Sequence, residues 1–466
     1  MVLVVEPETL VGTAEPSPAG PIEGAGEGLP QPPVVELPKL LNLLRFNQRQ
    51  IQYVFRARRE LGDVFRMNGI TEDVVFTGHP DHVRSLFTAK PEIAPTLAAE
   101  SPLRPIVGPN SVLTSIGPRH MRQRKLLLPS FHGEAIERYT RMIVEAAERE
   151  IESWPVGEAF PVAPRMQAIT LDVIMSGIFG IEGRPAPGTP EHGLRRAVRG
   201  LTRFSSTRIA QVGELMNVAS DEPIGMMRFS LGFLDRPTYA VIAARRAATD
   251  LEDRHDILSL LLQARTEEGE ALTDHELRDE LITLVLAGHE TTANTLAWTW
   301  ERLVRTPDAR DHLVEAVRSG DDDESAEAIE SVIVESMRAR PVIPITGRRV
   351  KVPWRMGPYE LPADSPVLIS VLLLHHREDL YPDPFAFRPE RWTDRKPGTY
   401  EWLPFGGGIR RCLGAALAMA EMRAVLREMS LRLDLEADRP EPERALHRNV
   451  TMIPSRGGRV VVTRRA

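Results

Sequence analysis

A single cysteine stands in 466 residues, so no disulfide can form within the chain. A structural zinc site would need three further ligands, and no second Cys or close His cluster offers them. Lysine is scarce: Lys39, Lys90, Lys125, Lys351 and Lys396 stand among basic residues that are otherwise arginine. No basic block interleaves with aromatic residues, and the formal charge is −7, which argues against nucleic acid as a partner. No apolar run approaches the roughly 20 residues of a membrane span, and the N-terminus lacks the charged-then-apolar pattern of an export signal. A cytoplasmic chain with no membrane span is therefore expected. Residues 1–33, rich in Pro, Gly, Glu and Ala, read as an extension that packs little, and residues 34–466 as one domain.

The lone thiol sits in a chemical setting. Gly406, Gly407 and Gly408 precede Cys412 and permit positive φ and the close approach of a flat ligand, while a strong helix former begins at Ala415. The sulfur then lies at a helix N-terminus. Unpaired amides there, together with Arg410 and Arg411, should favour the thiolate, which suits a soft axial ligand for haem iron.

With Phe405, Gly408, Arg410, Cys412 and Gly414 the pattern F-x-x-G-x-R-x-C-x-G is complete. It resembles the haem-thiolate loop of the cytochrome P-450 superfamily, in its soluble bacterial form. The resemblance implies a mainly α fold with a smaller β-rich region and haem b held between a long central helix and the Cys loop. Cys412 would be the iron ligand, with Phe405 and Gly414 beside it and Arg410 on a haem propionate.

Four more segments carry the same likeness in order. His120 and Arg124, four apart on one helical face, resemble the family's propionate-binding pair. Thr273-Asp274-His275-Glu276 is a capping box that launches a helix through Trp300 to about Arg305, roughly 45 Å at about 1.5 Å per residue. In its middle, Ala287-Gly288-His289-Glu290-Thr291-Thr292 is a poor helix sequence, because Gly and paired Thr both weaken a helix interior. His289-Glu290 opens an H-E-x-x-H zinc signature, but Ala293 stands where its second His belongs. The segment instead resembles the family's oxygen-binding groove. Ala287 and Gly288 would let the helix lie over the haem face, with Glu290 and Thr291 as the acid–alcohol pair that delivers protons. Glu335 and Arg338, joined by Arg391 from the Pro-Glu-Arg-Trp segment, resemble the family's buried charge triad. By its spacing from Glu335, Arg348 is assigned to a propionate, with Arg349 as the alternative.

Other segments are read from pattern. A helix is expected over Leu40–Leu61, and a hairpin follows Gly62. The proline-punctuated loop Ala94–Asn110 can lid a pocket with its apolar Leu97, Leu103, Ile106 and Val107. Leu194–Ala264 reads as helical with breaks at Gly213, Pro223 and Pro237, and Leu201–Val212 as a roof. Pro341–Ile345 and Pro366–Leu373 read as strands. The expected substrate pocket comprises Ile106, Val107, Ala287, Ile345 and Ile453, with Met452 beside the last.

The activity implied is hydroxylation or epoxidation of a hydrophobic small molecule, such as a fatty acid, terpenoid or steroid, by O2. Electrons come from outside, since the 54 residues after Cys412 are too few for the ~100–150 of a flavin domain. A ferredoxin or flavodoxin with its NAD(P)H reductase is expected, docking on Arg119, Arg122, Lys125, Arg411, Arg423 and Arg427. The chain itself is expected to be a monomer. Two other readings of the Cys loop are a haem-thiolate peroxygenase or isomerase, and a non-catalytic haem- or lipid-binding protein.

Overall fold

The computed structural model describes residues 14–22, 28–69, 72–181, 183, 185–205, 223, 225–265, 269–448 and 450–465. Its axis is the helix Asp274–Leu303, which starts as its capping box dictates. Thr273 Oγ1 accepts from the Glu276 N–H at 3.2 Å, and Glu276 Oε2 accepts from the Thr273 N–H at 3.0 Å. Side chains from Leu277 to Val285 and from Thr292 to Glu301 are buried all round, so the helix is enclosed rather than one-sided. Ala163–Phe179, Asp322–Ala339 and Ala415–Arg432 pack directly on it, and Glu134–Ile151 closes the bundle against the first and third of these.

The β-rich part has one sheet with its own core and a second sheet and a hairpin that pack on the bundle. A mixed sheet runs in the order Val64–Met67, Val74–Thr77, Ser365–Ser370, Ile345–Val350, with the middle pair parallel and the outer pairs antiparallel. Ala159–Pro161, Arg459–Arg465 and Leu433–Ala437 form a second sheet, and Ala445–Arg448 with Thr451–Pro454 a hairpin.

Several expectations are corrected. Ala19–Pro21 pairs with Trp354–Met356, Ser17 bonds Asp81 and His82, and Ala14 packs on the β-side core, so the described residues 14–22 of this stretch are tied down. Its prolines and glycines suit extended edge pairing, which a search for periodicity cannot see. Leu40–Leu61 is two helices, Lys39–Gln48 and Gln50–Leu61, broken at Arg49 (φ −140°, ψ 47°) without a Gly or Pro to mark it. Pro237 lies inside the helix Gly225–Arg246 instead of ending it. The carbonyl that loses its partner belongs to Phe233, on the exposed side where water can reach it. Gly213 and the roof residues 206–212 lie outside the described residues. Pro341 and Pro344 cannot donate to a ladder, so the strand begins only at Ile345. The Ser365 strand stops at Ser370, whose hydroxyl accepts from the Leu373 N–H at 3.2 Å and caps a helical turn, Val371–His375.

One buried carboxylate ties the bundle to the segment before the cysteine. Arg338 donates to Glu335 through Nε at 2.7 Å and Nη2 at 2.8 Å, both side chains being fully buried. Arg391 Nε reaches the same carboxylate at 3.4 Å, the Trp392 indole at 3.0 Å and the Arg388 N–H at 2.8 Å. Arg338 also donates to the carbonyls of His375, Pro384 and Ala386. Glu335→Ala or Arg338→Ala strands a buried charge. Chemical denaturation should show a loss of about 3–5 kcal/mol, and a loss below about 1 kcal/mol, the size of an exposed pair, would contradict this role.

Candidate active site

A cavity of about 490 Å³ opens between the long helix and the Cys412 loop. The loop has little regular structure, and two of its glycines make its turns possible: Gly406 and Gly408 have φ of 65° and 63°, whereas Gly407 is extended. The Cys412 N–H donates to the Phe405 carbonyl at 2.9 Å, which folds the loop back on itself. Gly414 then caps the helix Ala415–Arg432, so Cys412 stands just ahead of the first turn with its side chain open to the cavity.

The electrostatics at the sulfur differ from the expectation. Burial pushes the Cys412 thiol up, and this outweighs the Gly414 N–H and the charges of Arg124 and Arg411, which all pull it down. Arg410 is not among these influences. Its guanidinium turns to the carbonyls of Val112, at 3.2 Å, Leu113 and Ser115.

Three arginines and a histidine gather on one side. His120, Arg124 and Arg410 border the cavity, and the buried Arg348 lies over the Phe87 ring at 4.7 Å. Burial holds Arg348 down to about 10. It does the same to Arg410, with Arg348 and Arg124 adding repulsion. His120 falls to about 4 through burial and the charges of Arg410 and Arg124, so it is a neutral donor or acceptor near pH 7. Among the described residues these three arginines are bonded to backbone carbonyls rather than carboxylates. Clustered guanidinium groups without a counter-anion, beside a cavity that a thiol also lines, fit the two carboxylates of a haem. Arg349 does not join them: it is held at the surface by Glu72 and Glu100, each at 2.7 Å.

Across the cavity, Ala287, Gly288, Glu290 and Thr291 form part of the wall. Thr291 Oγ1 donates to the Ala287 carbonyl at 2.6 Å, and the residue lines the cavity. Gly288 has a second role that its motif did not suggest. A Cβ there would overlap the side chain of Ile174, so its small size also serves the packing of Ala163–Phe179 against the long helix.

The loop 94–110 supplies Leu103, Ile106 and Val107 to the lining. It is fastened to the long helix through Asn110, which donates twice to Asp279 at 3.1 and 3.0 Å; Leu97 instead lies over Gly347. Leu201 also lines the cavity. Two expected pocket residues are misplaced. Ile345 packs into the core beneath the mixed sheet, while Val342, Ile343 and Thr346 face the cavity. Val450 and Thr451 line it in place of Ile453, which sits two residues, about 7 Å, further along its strand; Met452 is buried in the core. The expected basic docking patch is partly neutralised, since Arg122 pairs with Glu276, Arg423 with Glu330 and Arg427 with Asp322.

Sequence reasoning missed two carboxyls. Glu421 lines the cavity from the helix after the cysteine and shares a hydrogen bond with Thr292, and Glu280 is buried on the long helix near Val112. A lone Glu within Ala415–Met422 was a legible signal for the first; an acidic residue in a capped helix is no signal at all.

The match to known proteins follows the same lines. The family model for cytochrome P450 fits residues 30–462, and the chain belongs to the cytochrome P450 family, whose members are haem monooxygenases. It is 36% identical to cytochrome P450 138 of Mycobacterium tuberculosis over 94% of this chain and 98% of that one. Cytochrome P450 137 of the same organism is 35% identical over 87% and 84%. Among solved structures, a retinoic acid-bound cyanobacterial CYP120A1 superposes with a TM-score of 0.78 at 22% identity, covering 94% of this chain and all of that one. A mutant haem domain of cytochrome P450DA gives 0.76, also at 22% identity.

Burial pushes Glu280 and Glu421 from an ordinary 4.5 up to about 8, against the pull of the Val112 N–H and Thr292 respectively. Each keeps a proton in the folded state that the unfolded chain releases, so stability should fall as pH rises from 4.5 toward 8. Denaturation midpoints between those limits should decline less steeply in Glu280→Gln and in Glu421→Gln; slopes parallel to the parent's would contradict this.

Proposed function

We propose that residues 34–466 form a single haem-thiolate monooxygenase domain that binds haem b through Cys412 and hydroxylates or epoxidises a hydrophobic small molecule. The observation that carries this reading is the opposition, across one largely apolar cavity, of an unpaired thiol, with the carboxylate-free Arg124 and Arg410 in the same lining, to the Ala287–Thr291 groove. When bound, haem supplies the reductive activation of O2, with one oxygen atom entering the substrate and the other leaving as water.

The chain's own residues do the rest. Cys412 would provide the soft sulfur ligand from the cavity lining. Arg124, Arg348 and Arg410, with His120, would hold the two propionates, whose carboxylates would supply the counter-charge these arginines lack. Thr291 sits within the cavity wall with its hydroxyl already bonded, and Glu290, one residue before it, faces the same space. Together they are the route by which protons reach the reacting oxygen. Leu103, Ile106, Val107 and Ile343 give the substrate an apolar bed, which suits a fatty acid, terpenoid or steroid skeleton.

Electrons come from a ferredoxin or flavodoxin and its NAD(P)H reductase. Among the described residues no helix is long and apolar enough to cross a membrane. We place the enzyme in the cytoplasm as a monomer.

Two measurements test the reading. The reduced protein with carbon monoxide should show the absorption of a thiolate-ligated haem, and Cys412→Ser should abolish it; a histidine-type spectrum in the parent would sink the proposal. Thr291→Ala should keep that spectrum and substrate binding but cut product per NAD(P)H about tenfold or more, diverting electrons to peroxide. Full coupling in Thr291→Ala would favour a peroxygenase or isomerase instead.

A further inference from the structure

A second cavity, of about 640 Å³, lies between the helices Glu134–Ile151 and Ala163–Phe179 and residues 254–256. Nothing in the proposed reaction uses it. The first of these helices carries five glutamates and three arginines, yet all three arginines, Arg138, Arg141 and Arg149, border the cavity, and of the glutamates only Glu145 does. Spacings of three, four and four put positions 138, 141, 145 and 149 on one helical face, so the sorting is written into the chain. Glu148 and Glu150 are drawn aside to Arg432 and Arg165.

The acids that do border the cavity are already engaged. Asp256 accepts from Arg245 Nη1 at 2.5 Å and from the Ser259 N–H at 3.0 Å, Asp172 pairs with Arg195, and Glu145 lies 4.0 Å from Arg149. Arg254 is paired with Asp250 at 2.9 Å. Among the described residues Arg138 and Arg141 have neither an ion pair nor a hydrogen bond. A cation would find its carboxylates taken, whereas an anion would find two guanidinium groups unclaimed.

An exposed arginine needs no protein partner, because water supplies one. A buried phenol does need one. Tyr139 also borders this cavity, is 7% exposed, and its hydroxyl has no hydrogen bond among the described residues. Its ring lies against Gly177, where a Cβ would come within 2.7 Å of Cε1. Both residues border the substrate cavity as well, so this ring is a wall shared by the two. Burial pushes the phenol up to about 12, with Arg138 pulling it down and Asp256 pushing it further. The hydroxyl therefore keeps its proton through the neutral range and is available as a donor.

We propose that this cavity is a binding site for a multiply charged oxyanion, a polyphosphate or a polycarboxylate, held by Arg138 and Arg141 and by a hydrogen bond from the Tyr139 hydroxyl. Guanidinium forks match the paired oxygens of either group. Two unclaimed positive charges call for a ligand with at least two negative ones, and the volume falls within the roughly 300–1,000 Å³ of pockets that take whole small molecules. The site goes beyond the monooxygenase reading and does not depend on it.

The haem-loaded full chain, titrated calorimetrically at fixed ionic strength with tripolyphosphate and separately with citrate, tests this. One equivalent of at least one of them should bind, and which of the two binds more tightly tells a phosphate site from a carboxylate site. Arg138→Gln and Arg141→Gln should each weaken that binding about tenfold. Tyr139→Phe, which keeps the ring against Gly177, should weaken it about threefold or more. Arg56→Gln, on an exposed arginine of another helix, should leave it unchanged. Absence of binding by both anions, an equal loss in Arg56→Gln, or parent affinity in Tyr139→Phe overturns the site. Because the carbon monoxide spectrum of the parent is read separately, a failure of the functional reading and a failure of this site are told apart.

Discussion

The loop that carries Cys412 has almost no hydrogen-bonded structure of its own, and it is held in place by the charge of Glu335. From that carboxylate a chain of bonds runs through Arg338 to the His375 carbonyl at 2.8 Å, and from the His375 ring to the Leu403 N–H at 2.8 Å, two residues before Phe405. His375 has to be neutral for its Nε2 to accept. Burial, reinforced by Arg338, holds it down to about 3, so the bond persists across the whole range in which the protein could work. The Trp402 indole adds a second tie, to the Val334 carbonyl on the same helix as Glu335. A loop suspended in this way is positioned by buried electrostatics, where geometry is unforgiving, rather than by a ladder that could slip.

The cavity wall makes the complementary use of charge. Around Glu335 the Arg338 guanidinium finds a carboxylate and three carbonyls, whereas the buried Arg348 and the half-buried Arg410 have only carbonyls to bond. The first arrangement stabilises the fold as it stands. The second is incomplete without an anion, and so the same residue type that fastens the scaffold also defines what the cavity can hold. Arginine suits both, because its planar fork keeps its charge when buried and matches a carboxylate in two places.

Much of the site was legible in the chain because the chemistry is local. Cys412 with its glycines, the Ala287–Thr292 break in a helix pattern, and His120 four residues before Arg124 are short-range signatures, each forced by what a helix or tight turn can present. What could not be read spans long separations. Arg448 and Glu290 meet across 158 residues, and nothing in either neighbourhood announces the other. Ile345 was one residue off and Ile453 two, since which face of a strand meets a cavity, and how far along it the cavity reaches, depend on where its neighbours pin it.

By itself the order of residues determined the chemical class: one thiol on a glycine turn ahead of a helix, and an acid–alcohol pair in a weakened helix. Those follow from backbone rules that act over a few residues. Only the tertiary structure decided which arginines lack a counter-charge, that burial raises the thiol despite its cationic neighbours, and that Arg349 is spent on surface carboxylates. These depend on dielectric surroundings and on partners brought in from far along the chain, and desolvation is a property of the packed molecule, not of any stretch within it.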